Sequence, residues 1–360
     1  MRRLILTAAS FTMLGVGACN RQKIPDAVHV WIGSTGGCAE TKESPLVGTL
    51  ACWGNVFQGP PREYGKRFTL GPGKVAGVSL GARHACATTD GHPFCWGDGA
   101  QGQLGPSTQA SETPVPVGAP GAQKPESVAA GGAHTCVRGE NADTLRCFGL
   151  NDAGQLGLTD GKSDWDQGHE IKTVVLGDAQ TCASYAPAQG IDPFVLCRGR
   201  NMPKTPLLSG HITLQLAVGA DHACALLENH RVECWGKNDD GQLGDGTTMS
   251  SLVPVPVLGM SPALMVVAGA HHTCALLGNR TVACWGKNDR HQLANGTTKS
   301  SNRAEVLVGL VQVHEIAAAG DNACVITDDA SVRCWGPNDH HELGDGSTEE
   351  HTVPAPVKYR

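Results

Sequence analysis

Short apolar runs, rich in β-branched residues and bounded by glycine, recur along this chain. Residues 252–257 (LVPVPV) and 266–268 (VVA) are two of them, and 274–277 and 281–285 follow as a pair across Gly278-Asn279-Arg280. Runs of this length and composition read as strands, and the last two read as a hairpin. A second hairpin is centred on Asp90-Gly91, a dipeptide suited to a type I′ turn. The pattern predicts an all-β chain with about four short strands in each stretch of roughly 50 residues.

Cysteine spacing sets the period. Fourteen of the 15 cysteines fall into seven pairs: Cys38 with Cys52, Cys86 with Cys95, Cys136 with Cys147, Cys182 with Cys197, Cys224 with Cys234, Cys274 with Cys284, and Cys324 with Cys334. First members recur every 42–50 residues, which marks seven repeats of one supersecondary unit rather than separate domains. In five units the second cysteine precedes Trp-Gly, at Trp53, Trp96, Trp235, Trp285 and Trp335. Phe148-Gly149 and Arg198-Gly199 take that place in the other two, and the unit around Cys182 and Cys197 is the most eroded.

The midpoints of the Cys86 and Cys95 pair and of the Cys274 and Cys284 pair fall in the hairpin turns, so the two cysteines face each other on neighbouring strands. Their Cβ atoms would be about 4.5–5.5 Å apart, close to what a disulfide requires. One disulfide per unit is the expectation. Free thiols and zinc are the alternatives. His222, Cys224 and Cys234 offer three ligands, but no fourth recurs and the tight cysteine spacing of zinc sites is absent.

Composition narrows the class. With 40% hydrophobic residues the chain can bury a core, which excludes wholesale disorder. A net charge of −6 lacks the basic excess of a nucleic-acid binder. Fifteen cysteines do not suit a reducing cytosol. Arg2 and Arg3, an apolar run over 4–16 and then Gly17-Ala18-Cys19 form a secretory signal too short to span a bilayer. Val16-Gly17-Ala18-Cys19 resembles the bacterial lipobox, whose cysteine is acylated before cleavage. The expected organisation is a lipoprotein signal peptide over 1–18, an anchor linker over 19–26 and one repeat domain over 27–360. Membrane attachment is expected through the Cys19 lipid only, on a monomer of the bacterial cell envelope, periplasmic or at the outer membrane.

Four strands per unit and seven units predict a seven-bladed β-propeller. The first unit begins near residue 27 without the Val-Pro-Val-Pro-Val strand seen at 253–257, while the last ends in Val-Pro-Ala-Pro-Val at 353–357. The C-terminal strand is therefore expected to complete the first blade and close the ring. Its prolines suit an edge position.

The phrases Gly-Ala-x-His-x-Cys-Ala and Asn-Asp-x-Gly-Gln-Leu-Gly resemble the RCC1 (regulator of chromosome condensation) repeat. The resemblance spans about residues 27–357 and implies a seven-bladed propeller. The extracellular bacterial version, with paired cysteines, is the nearer likeness. Nucleotide exchange, the activity of the nuclear member, is not implied for an exported acidic chain.

His84, His134, His222 and His272 each precede a first cysteine by two residues, with Gln180 and Asn322 in equivalent places. A ring of imidazoles could hold a metal, but Gln and Asn substitute for His in neutral hydrogen bonding, which favours satisfaction of backbone groups within each blade. Asn238-Asp239-Asp240-Gly241 and Asn338-Asp339 lack a calcium ladder and suit tight turns. The recurrent tryptophans suit packing between blades. Trp165 stands apart in an insertion over 159–170 beside Asp160, Asp164 and Asp166. Phe57, Arg62, Tyr64, Lys66 and Arg67 form a basic-aromatic stretch around Pro60-Pro61. Insertions in repeats often map to binding loops, so Phe57, Arg62, Tyr64 and Trp165 are candidate contacts with an envelope or extracellular protein or glycan. No diagnostic catalytic motif appears, and no cofactor or metal is expected. The leading reading is a non-enzymatic binding module. The alternative is an envelope enzyme acting on carbohydrate or peptide from the propeller mouth.

Overall fold

A computed structural model describes residues 22–23, 27–33, 36–41, 47–54, 62–72, 75–89, 92–105, 109–117, 125–139, 144–159, 162–188 and 190–359. The signal and the lipobox with Cys19, the Asp90-Gly91 turn and Phe57 lie outside them. The described residues form an all-β, seven-bladed propeller. Blade one runs from Ala27–Gly33 to Arg62–Pro72, blade two from Val75–Leu80 to Ala110–Pro116, and blade three from Pro125–Ala130 to Leu145–Gly149. Blade four runs from Ile171–Leu176 to Phe194–Gly199, and blade five from Thr213–Val218 to Ser251–Pro256. Blade six spans Ala263–Ala268 to Ser301–Val306, and blade seven Val313–Ala319 to His351–Pro356. Five blades have four strands, blades three and four have three, and strand order follows chain order throughout.

The first strand of each blade is innermost, and the seven together line a central channel of about 510 Å³. Because strands alternate in direction, connections sort onto two faces. The upper face carries the turns from first to second strand and the long loops from third to fourth. The lower face carries the hairpins from second to third strand, the blade-to-blade connections and the chain ends.

Each cysteine pair lies directly opposite in register on the second and third strands of its blade. Cys38 faces Cys52, Cys86 faces Cys95, Cys136 faces Cys147 and Cys182 faces Cys197. Cys224 faces Cys234, Cys274 faces Cys284 and Cys324 faces Cys334 in the same way. All seven pairs are disulfide-bonded, with Cα atoms 4.0–4.1 Å apart. The sequence separation is shortest between Cys86 and Cys95, at 9, and longest between Cys182 and Cys197, at 15. On the chain-entropy argument each bridge is worth about 2–3 kcal/mol. The thiol and zinc alternatives are thereby set aside for these fourteen residues.

Proline-bearing strands occupy blade edges, as expected. Val353 and its neighbours, however, do not complete the first blade. His351–Pro356 pairs with Val332–Gly336 as the outer strand of blade seven, with Cys334 opposite Ala355, and Cys234 lies likewise opposite Val255 in blade five. Blade one has its own outer strand, Arg62–Pro72, with Cys52 opposite Lys66. The proline-bearing strand follows the Trp-Gly strand and pairs with it, so it ends a unit rather than beginning one. The ends still meet: Gln22–Lys23 pairs with Lys358–Tyr359, and Val357 packs with Val30 and Trp53 across the seam between blades seven and one.

One rule describes all seven seams. The disulfide of one blade faces an aromatic ring from the next: Cys38 and Cys52 meet Trp96, Cys182 and Cys197 meet Trp235, and Cys274 and Cys284 meet Trp335. Trp53 and Trp285 serve the seams after blades seven and five, and Phe148 packs with Cys86 and Cys95 at the seam after blade two. Indole N–H groups buried this way require acceptors. Trp285 Nε1 donates to Gln242 O at 3.0 Å and Trp335 Nε1 to Gln292 O at 2.8 Å. Gly244 makes the approach possible: it sits at φ +68°, and a Cβ there would lie 2.8 Å from the Trp285 indole nitrogen.

Candidate functional site: the channel mouth and its upper loops

The four histidines begin second strands and are all buried. They are not satisfied within their own blades, as the sequence suggested, but across seams. Nε2 of His84 bonds Thr135 Oγ1 at 2.8 Å, His134 bonds Thr181 at 2.9 Å and His222 bonds Thr273 at 2.9 Å, each on the following blade. Thr135 and Thr273 donate their hydroxyl protons to Gln103 O and Gln242 O, so His84 and His222 are the donors in their pairs. Where histidine is absent the threonine is absent too. Gly36 is followed by Ala85 on the next blade, Asn322 by Gly37, and Gln180 by Ala223, and Gln180 instead donates to Ala220 O across its seam. His272 alone meets an alanine, Ala323, and both of its ring nitrogens lack a partner.

Burial keeps these imidazoles neutral. It lowers His84 and His222 to about 3 and His134 and His272 to about 4, with neighbouring histidines adding to the effect on His84 and His222. Three of these neutral side chains, His84, His134 and His222, are struts held across seams, while His272 is buried without a partner. Among the described residues no group of three His, Cys, Asp or Glu side chains is arranged to hold a metal.

The channel wall is also structural. Gln215 Oε1 accepts from Val266 N at 2.9 Å, Glu315 Oε1 from Val30 N at 3.0 Å, and Ser79 Oγ from Ala130 N at 2.9 Å. Each polar side chain satisfies an edge N–H on the next blade's inner strand, which would otherwise be unpaired.

Chemistry concentrates at the upper mouth, where Asp178, Asp221, His271 and Asp321 occupy the turns leading into second strands of blades four to seven. Asp178 opens to the channel, yet protein crowds its other sides. That desolvation holds its carboxyl above the usual range; Asp221 and Asp321 push the same way, and His271 and Arg200 oppose them. The mouth is thus an acidic rim suited to a cationic or hydrogen-bond-donating group.

Around it stand the long upper loops, those of blades five to seven each built on a buried asparagine. Asn238 Nδ2 donates to Asp245 Oδ1, Thr247 O and Met249 O, and its Oδ1 accepts from Leu243 N at 2.9 Å. Asn288 and Asn338 repeat the arrangement. These are the tight turns expected from the Asx-Gly composition. Arg290 links two neighbouring loops, reaching Asp339 at 2.9 Å and Glu350 at 3.5 Å.

The candidate partner contacts fall elsewhere. Trp165 is 1% exposed and packs against Cys136, Leu145 and Ile171, with Cys147 of the same disulfide beside them. Its Nε1 donates to Leu156 O at 2.9 Å, and a Cβ on Gly157 would lie 2.5 Å from its ring. It fills the aromatic position of the seam between blades three and four, which Arg198 leaves vacant at the usual register. Its exposure as a contact is thereby corrected: an indole in that gap is worth more buried than wet. The acidic neighbours hold this segment down, Asp164 accepting from Arg198 Nε at 2.7 Å and Asp166 pairing with Arg146 at 3.0 Å. Arg62 and Tyr64 lie not in an insertion but on the outer strand of blade one, where Gly54 pairs with Arg62 as Gly236 pairs with Ser251 in blade five. The mouth residues were missed because the register shared by Asp221 and Asp321 holds Arg83, Ala133, Ala179 and His271 in other units, and Asp178 lies one residue earlier in its own.

A family model for the regulator of chromosome condensation (RCC1) repeat matches residues 90–138 and 229–276, and a second RCC1-repeat model matches 214–242 and 266–292. These residues carry RCC1 repeats. The RCC1 matches straddle blade boundaries: 229–276 starts in the hairpin of blade five and ends in the second strand of blade six. Among relatives, the Ultraviolet-B receptor UVR8 of Arabidopsis thaliana is 29% identical over 188 residues, 52% of this chain and 35% of that protein. The chain thus spans about a third of that relative. Prp20p of Saccharomyces cerevisiae superposes with a TM-score of 0.72 at 17% identity, over 88% of this chain and 86% of that one. The ectodomain of the Arabidopsis thaliana receptor kinase ACR4 gives 0.54 at 20% identity, covering 86% and 95%. These structural likenesses speak to fold alone.

Proposed function

We propose that this protein is a lipid-anchored, non-enzymatic binding module of the bacterial cell envelope that presents its upper face to a protein or glycan. The observation that carries the reading is the division between faces. The chain leaves the ring on the lower face, at Gln22–Lys23, so an anchor at Cys19 directs the acidic mouth and rigid upper loops away from the membrane. Seven disulfides match an oxidising compartment. The four histidines that an enzyme would need are committed to seams or buried without a partner. Prp20p, of like fold, is described with binding to Gsp1p and histones, a precedent for protein recognition on this architecture.

Two experiments test the parts separately. Cys19→Ala should shift the protein from the membrane to the soluble fraction; retention on membranes contradicts the anchor. Affinity capture from envelope extracts should yield a partner that Asp178→Lys combined with Asp321→Lys abolishes. A capture profile unchanged by that charge reversal contradicts the upper-face assignment.

A further inference from the structure

The lower face carries an unexplained feature. Across blades four to seven it exposes Ile191 (46%), Ile212 (43%), Leu214 (50%), Leu264 (46%), Val308 (99%) and Val311 (58%). Leu214 and Leu264 occupy the same register position on neighbouring inner strands, and Val308 and Val311 lie in the next blade connection, so the residues follow one arc. The upper loops of blades five to seven, in contrast, expose one large apolar side chain among the described residues, Met249. Contiguous exposed apolar surface marks an interaction site.

Of the charges near this arc, Asp328 is neutralised, while Asp192 and Glu228, beside Ile191 and Ile212, are exposed without an ion pair among the described residues. Asp328 of the blade-seven hairpin accepts from Arg280 of the blade-six hairpin at 2.7 Å and lies 2.6 Å from His314 Nε2.

The chain itself indicates the occupant. Cys19 lies three residues before Gln22, which is held on the lower face by its pairing with Tyr359. Three residues reach at most about 10 Å. Acyl chains on Cys19 would thus enter a bilayer next to the seam between blades seven and one, one blade from Val308. Lys23 and Lys358 are register partners at that exit, placing two basic residues where anionic headgroups would lie.

We infer that the lower face of blades four to seven is a membrane-docking surface, the Ile191-to-Val311 arc resting in the lipid interface beneath the anchor. The inference rests on the lipid-anchor reading. Docking fixes the propeller's orientation, so the acidic mouth faces outward rather than tumbling on a tether.

The test uses the full, lipidated chain on vesicles of phosphatidylethanolamine and phosphatidylglycerol. Val308→Cys and Met249→Cys are made singly and labelled with an environment-sensitive fluorophore; the fourteen paired cysteines are in disulfides and Cys19 is acylated. Both sites are exposed, so folding is not at risk. The label at 308 should shift to the blue and lose emission when nitroxide lipids are added, while the label at 249 does neither. Two equally solvated labels on a protein that still pellets with vesicles would overturn docking and leave the anchor standing. A 308 label already shielded in Cys19→Ala protein without vesicles would identify a second copy as the occupant and overturn the inference. Failure of the lipidated protein to pellet would overturn the anchor and docking together.

Discussion

The seam between blades five and six and the seam between blades three and four solve one packing problem with different residues. In the first, Trp285 follows Cys284 at the repeat register, packs with Cys224, Cys234 and Leu243, and donates to Gln242 O. In the second, the register position holds Arg198, and the ring that meets Cys136 and Cys147 comes from Trp165, 33 residues earlier in the segment that stands where other blades have an outer strand. Both seams keep the histidine-to-threonine bond, His222 to Thr273 and His134 to Thr181. What the ring requires at each seam is an aromatic volume, with an acceptor where the ring is an indole, and the chain position supplying them is free to change. The seam after blade four shows the cost of a partial solution. Blade four lacks the Gln-Leu-Gly turn, and the buried Trp235 Nε1 has no hydrogen-bond partner.

The largest expected contrast sets Trp285 against its register equivalent. Trp285→Ala should destabilise by about 3–5 kcal/mol in urea unfolding, the usual loss for a buried tryptophan. Arg198→Ala should cost about 1–2 kcal/mol, because it breaks a half-buried pair with Asp164 rather than opening a cavity. Equal losses would mean that Arg198, not Trp165, holds the seam.

Acid should weaken both seams. Histidines lowered from 6.5 to about 3 or 4 in the folded state are neutral there while the unfolded chain takes up protons below pH 6.5. Their contribution is complete above pH 6.5 and is lost as pH falls towards the folded values, by roughly 1.4 kcal/mol per pH unit for each histidine. His134→Gln and His222→Gln should each flatten the stability profile between pH 7 and 5; an unchanged slope in either contradicts the neutral strut at that seam.

The smallest expected effect is a gain. Ala323→Thr offers His272 Nε2 the hydroxyl found at the seams after blades two, three and five, and should stabilise by about 1 kcal/mol. A loss would show that the site cannot admit the side chain without displacing its neighbours.

The ring was legible in the sequence because its determinants are local and periodic. Cysteine pairs facing each other across hairpins, Trp-Gly after the second cysteine and Asx-Gly turns all recur in register. The phase was not legible: a repeat can be cut at any strand, and only hydrogen bonding showed that 353–357 finishes blade seven rather than blade one. Trp165 misled for a related reason. An aromatic in an acidic insertion looks like a surface contact until Asp164 and Asp166 are seen pinned by Arg198 and Arg146. The histidines were expected to bond within their own blades, but their partners lie on the next one, since Thr135 and Thr273 become neighbours of His84 and His222 only once consecutive blades stack. The acidic mouth and the apolar lower arc are products of assembly, gathered from several blades at positions no single repeat singles out.

The central claim is that every seam needs its aromatic, whatever its place in the chain. Urea unfolding of Trp165→Ala beside Trp285→Ala tests it most directly. The account predicts losses of similar size, about 3–5 kcal/mol each. A Trp165→Ala protein as stable as the parent would contradict it and return Trp165 to the surface.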